Sequence, residues 1–112
     1  VIVFALLALL AMVDAAPAPT MTPTNRWAEP TRGILAQHCG RCHLPNLPTS
    51  VPRALSVFNL SEEPWYDRLT HDQLDDLLHR VRSVKDLPES DGAIVSSFVR
   101  CARDNDCPSD PP

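Results

Sequence analysis

The chain has 112 residues, a net charge of −4, 44% hydrophobic and 5% aromatic residues, and twelve prolines. It has no basic stripe and no aromatic–basic interleaving, which argues against nucleic acid as a partner. The prolines gather at the N-terminal end, in segment 45–52 and at the C-terminus. They leave roughly 75–80 residues for one domain, a size at which an apolar core needs a staple or a bound group.

Val1 to Val13 form an unbroken apolar run, followed by the small residues Ala15, Ala16 and Ala18. The run is short for a membrane span and suits the apolar core of a signal peptide, so residues 1–15 read as a leader cleaved ahead of Ala16. The run lacks an initiator Met and a basic flank, so the expected start lies upstream. The chain is expected to be exported, to the periplasm of a bacterium, and to be membrane-associated if the leader is retained. Residues 16–30 carry Pro17, Pro19, Pro23 and Pro30 without apolar periodicity and read as an extended linker. Trp27 is the exception, either clasped on the domain or partly exposed.

The domain is expected over residues 31–107. Thr31 is a candidate cap for a short helix from Arg32, which runs through Gly33, Ile34 and Leu35 into Cys39-Gly40-Arg41-Cys42-His43. This is C-x-x-C-H, the pattern of c-type haem attachment. Two thiols at this spacing can form thioethers with the two haem vinyl groups, and the adjacent imidazole is carried to the iron as proximal ligand. A thiol oxidoreductase using Cys39 and Cys42 is the competing reading, but the βαβ pattern of a thioredoxin-like domain is missing. A zinc module using Cys39, Cys42 and His43 with Cys101 or Cys107 does not meet the usual structural spacing.

A short helix with glycine and apolar residues leading directly into C-x-x-C-H resembles the N-terminal helix of small monohaem c-type cytochromes. The resemblance covers about residues 31–104, and C-x-x-C-H is its one specific motif. It implies an all-α cytochrome c-like domain wrapped around one covalent haem c, with electron transfer as its activity. It further implies that this helix crosses a C-terminal helix through a small residue, for which Gly33 and Ala36 are candidates. A backbone carbonyl in the following loop would accept the proximal histidine N–H, with Pro45 and Pro48 the nearest candidates.

Pro45, Pro48 and Pro52 predict a wrapping loop after His43. Leu55, Val57, Phe58 and Leu60 either cover the haem or fill an ordinary core. Ser61-Glu62-Glu63-Pro64 reads as a helix start. Trp65 and Tyr66 follow, each with a polar hydrogen able to reach a haem propionate or else simply packed in the core. Thr70 to Gln73 form a capping box, and Leu74, Leu77, Leu78 and Val81 predict a helix over 71–83 with Asp75, Asp76, Arg80 and Arg82 outward. A last helix is expected over 89–103 on Ile94, Val95, Phe98 and Val99, capped by Asp86 or Ser90. Cys101 and Cys107 are the expected disulfide, and 108–112 a disordered tail.

The family resemblance implies a methionine, often Met-Pro, opposite the histidine. This chain has Leu87-Pro88 there, and its two methionines are Met12 and Met21. Three arrangements stay open. His79, or less readily His71, can serve as a second imidazole ligand. The sixth position can be open, with Leu87 or another apolar group beside it. Lys85, Met21 or a partner chain can supply the ligand. The sequence therefore reads as an exported monohaem electron carrier, monomeric, meeting redox partner proteins in the periplasm or at the membrane surface. Its alternative is a haem-based module that binds or senses a small ligand at an open position. No carboxylate pair, Ser/His arrangement or Gly-rich phosphate loop marks it as an enzyme.

Overall fold

The computed structural model describes residues 21–112. The expected leader over 1–15, Met12 and the first part of the linker lie outside the described residues. The described chain is all-α, with helices α1 (Pro23–His43), α2 (Pro52–Val57), α3 (His71–Arg82) and α4 (Glu89–Asp104). α1 packs along α4, α3 packs on α4, and α2 packs on α1. No described helix is long and apolar enough to cross a membrane.

The first helix begins well before Arg32, inside the expected linker. Thr22 is its N-cap, accepting the Asn25 N–H at 3.2 Å, and Pro23 occupies the first turn. Proline is tolerated there because its missing N–H would have no partner in the helix anyway. Trp27, Ala28, Thr31, Ile34 and Leu35 then make one buried face at helical spacing. Pro30 sits inside the helix and cannot donate to the Arg26 carbonyl. Its neighbour Thr31 is buried rather than capping, and its hydroxyl donates to the Trp27 carbonyl at 2.8 Å. The small residues buried on α1 are Ala28, Thr31 and Gly40. Gly33 is exposed, and a Cβ added there would meet nothing within 4 Å, so it makes no helix crossing. Ala36 is half-buried against the core.

α3 follows the sequence reading closely. Both bonds of its capping box form, Gln73 N–H to Thr70 Oγ1 at 3.2 Å and Thr70 N–H to Gln73 Oε1 at 2.9 Å. Leu74, Leu77 and Val81 are buried. α4 buries Val95, Phe98, Val99 and Cys101. Its N-cap is Pro88, with no side-chain bond, instead of Asp86 or Ser90. Asn105 closes it in the left-handed region at φ 53°, a conformation that asparagine tolerates better than most residues.

One further expectation gives way. Residues 60–68 form turns instead of a helix opened by Ser61. The Ser61 N–H and hydroxyl both donate to Asn59 Oδ1, at 2.9 and 2.6 Å, so this serine is committed to a turn. The tail makes contacts of its own. Cys101 and Cys107 stand at disulfide distance, and beyond them Trp27 Nε1–H donates to the Pro108 carbonyl at 3.2 Å. Arg26 pairs with Asp110 at 2.9 Å. The tail thus lies against the N-terminal half of α1, and Trp27 is buried beneath it.

Candidate functional site

Cys39, Cys42 and His43 end α1, and the chain leaves the helix at Leu44, whose N–H still bonds the Gly40 carbonyl at 3.0 Å. The loop then returns to the motif. Val51 N–H donates to the Cys42 carbonyl at 3.3 Å and Leu60 N–H to the His43 carbonyl at 3.0 Å. These bonds hold residues 51–60 against the last turn of α1.

His43 Nδ1 lies 2.9 Å from the Phe58 carbonyl oxygen. A carbonyl can only accept, so the proton sits on Nδ1, and in the neutral ring Nε2 carries a free lone pair. The rings of His43 and Phe58 are stacked, with centroids 3.7 Å apart and planes 3° from parallel. Position and tautomer of the imidazole are both set by one residue. That residue is not Pro45 or Pro48. The proline segment turns on itself instead: the Ser50 hydroxyl donates to the Leu44 carbonyl and accepts the Leu47 N–H. α2 then carries the chain back, so Phe58 arrives beside the ring.

His43 opens on a cavity of about 380 Å³. Val51, Ala54, Val57 and Phe58 form one wall, and Leu69 and Leu77 face them from the start and face of α3. Gln73, Asp76, Arg80 and Arg53 supply its polar rim, where Arg80 pairs with Asp76 at 2.7 Å. Of the four apolar residues read as either haem cover or ordinary core, Val57 and Phe58 line this cavity, Leu55 is half-buried and does not, and Leu60 is buried in the general core.

Cys39 and Cys42 are half-buried free thiols. Burial, and then the neighbouring Cys42, push the Cys39 thiol up, while Arg80 pulls it the other way. A thiol held protonated is poorly suited to the nucleophilic role of a redox pair. Among the described residues no group of three or more His, Cys, Asp or Glu side chains gathers in a way that could hold a metal ion. The three residues of the motif therefore do not converge with Cys101 or Cys107, which are paired with each other.

The residues considered for a second axial ligand lie elsewhere. His79 and His71 are exposed on α3 and neither lines the cavity. Lys85 is exposed, and Met21 is 50% exposed ahead of α1. Leu87 and Pro88 line a separate groove with Arg82, Gly92 and Ser96. Tyr66 gives its hydroxyl hydrogen to Asn25. Trp65 is only 2% exposed, and its indole N–H has no partner. Gln73 was legible in the sequence only as half of a capping box. Its second role, lining the cavity, depends on a fold that brings α3 against Phe58. Comparison of the chain with protein families, characterised proteins and solved structures found no match.

Proposed function

We propose that this chain is an exported monohaem c-type cytochrome that transfers electrons. The haem would be held through thioethers to Cys39 and Cys42, with His43 as proximal ligand. Each thiol adds across one vinyl group, sulfur to one carbon and hydrogen to the other, with no atom lost. The observation that carries the reading is the His43 Nδ1–H bond to the Phe58 carbonyl. Such a bond orients a ligating imidazole, raises its basicity and leaves Nε2 for the iron.

The cavity beside His43 has apolar walls and a polar rim, which supports an amphipathic group there, although neither Cys39 nor Cys42 lines it. The Trp65 N–H is buried without a partner and would suit a propionate that reached it, although Trp65 does not line the cavity. When bound, the iron would supply one-electron chemistry, and the protein's part is to fix its ligand and exclude water. Partners would be redox proteins in the periplasm or at a membrane surface.

A second reading has its own support. Among the described residues lining the cavity, His43 is the one imidazole, and neither a thioether nor an amine accompanies it. This favours an exchangeable sixth position and hence binding of a small ligand. Spectra of the protein purified from a host that attaches c-type haem test both. A low-spin reduced form that excludes carbon monoxide supports the electron carrier. A high-spin form that binds it rapidly supports the ligand-binding module, and no haem at all overturns both.

A further inference from the structure

The chain has 14 acidic residues and a net charge of −4, yet residues 30–61 contain no Asp or Glu. The fixed charges of that stretch are Arg32, Arg41 and Arg53. The fold brings its second half together. The Val51 N–H bond to the Cys42 carbonyl at 3.3 Å ties the loop 44–51 to the last turn of α1, and α2 packs on α1. Arg41, Leu47, Val51 and Arg53 are exposed on these adjoining segments. Leu47 at 43% and Val51 at 40% are two of the three exposed large apolar side chains among the described residues. Among the described residues neither Arg41 nor Arg53 joins an ion pair, whereas Arg32 is held by Glu63. Glu62, the first acid after the stretch, is taken by Arg68, and Asp76 at the cavity rim by Arg80. The result is a patch of positive charge and open apolar surface on an acidic chain.

We propose that this patch, Arg41 and Arg53 with Leu47 and Val51, is the docking surface for an acidic redox protein whose carboxylates meet the two arginines. The proposal rests on the electron-carrier reading and adds the side from which the partner approaches. Apolar contact with arginine beside it is the composition of a protein interface, and unpaired exposed cations raise the rate of encounter with an acidic surface. The rest of a −4 chain repels such a partner, so the patch also orients it. A lipid surface suits the patch less. Two arginines and two loop-borne aliphatic side chains fall short of the polybasic cluster or amphipathic helix that holds a protein at a membrane.

The test uses the reduced, haem-loaded protein and the trianion ferricyanide, which takes one electron from the haem iron and becomes ferrocyanide. The rate is read by stopped flow at about 10 mM and about 150 mM salt, where screening shortens from about 30 Å to about 8 Å. Net charge alone makes this a reaction of like charges, which salt speeds. The patch makes the opposite sign: the rate should fall, roughly tenfold. Arg41→Glu should abolish the fall. Arg26→Glu makes the same change in charge about 22 Å away along α1, and should keep it. A wild-type rate that rises with salt, or two variants that behave alike, overturns the proposal. Retention of the protein on phosphatidylglycerol vesicles, lost in Arg41→Glu, assigns the patch to a membrane and overturns it. Dimerisation lost in the same variant assigns it to a second copy and also overturns it. A protein without covalent haem gives no absorbance change at all, a distinct result that removes the reading beneath and the proposal with it.

Discussion

His43 depends on a carbonyl fifteen residues away. The bond to Phe58 selects the tautomer, and the stacked ring beneath holds the plane, so the neutral imidazole is held with its Nε2 lone pair free. Two predictions belong at this scale. Trp65 buries an N–H with no partner, which costs stability unless an acceptor arrives. Trp65→Phe is therefore expected to cost the haem-loaded protein about 1 kcal/mol more than the haem-free protein, read from urea unfolding of each. Equal costs would remove Trp65 from contact with the cofactor. The second concerns Cys39 in the haem-free protein. Burial and Cys42 raise its pKa, so the thiolate forms only at higher pH than in an ordinary thiol. Its alkylation by iodoacetamide should rise with pH later than that of the same cysteine in urea. The linkage has a matching sign: this thiol favours the folded state below the unfolded thiol pKa, and that contribution is lost as pH climbs through the raised value.

At the scale of elements, α1 and the tail form one unit. The pair Cys101–Cys107 closes a loop with a sequence separation of six, and the residues beyond it reach back to Arg26 and Trp27. Opening a loop of that size is worth about 2 kcal/mol by chain entropy, whereas the exposed Arg26–Asp110 pair contributes little. Reducing the disulfide should lower stability by about 2 kcal/mol and shift Trp27 emission toward that of a solvated indole. Arg26→Ala alone should do neither measurably. Helices α3 and α4 were legible because their apolar residues repeat at helical spacing within a clear capping box or after Pro88. The N-terminal half of α1 was not. Pro23 and Pro30 spoke for an extended chain, and the face made by Trp27, Ala28 and Thr31 gains its meaning only from the α4 surface it covers. The tail contact was not legible for the same reason: a polar, proline-rich segment gives no sign that a buried indole meets its carbonyl.

For the whole molecule, length and composition foretold a small domain that needs help beyond its own core, and the family resemblance implied that it is all-α. The described structure provides one covalent tie in Cys101–Cys107 and places an apolar cavity at His43, lined by neither Cys39 nor Cys42. The motif was fully legible, since five consecutive residues carry it. The carbonyl that orients His43 and the glutamine facing the same cavity were not, because each is set by loop closure between segments far apart in sequence. The central claim is that Cys39 and Cys42 hold one haem covalently. Its most direct test is the intact mass of the acid-denatured protein from a host able to attach c-type haem. The wild-type chain should keep the mass of one haem after denaturation and Cys39→Ala/Cys42→Ala should keep none. A wild-type chain without the added mass, or a double variant that retains it, would contradict the claim.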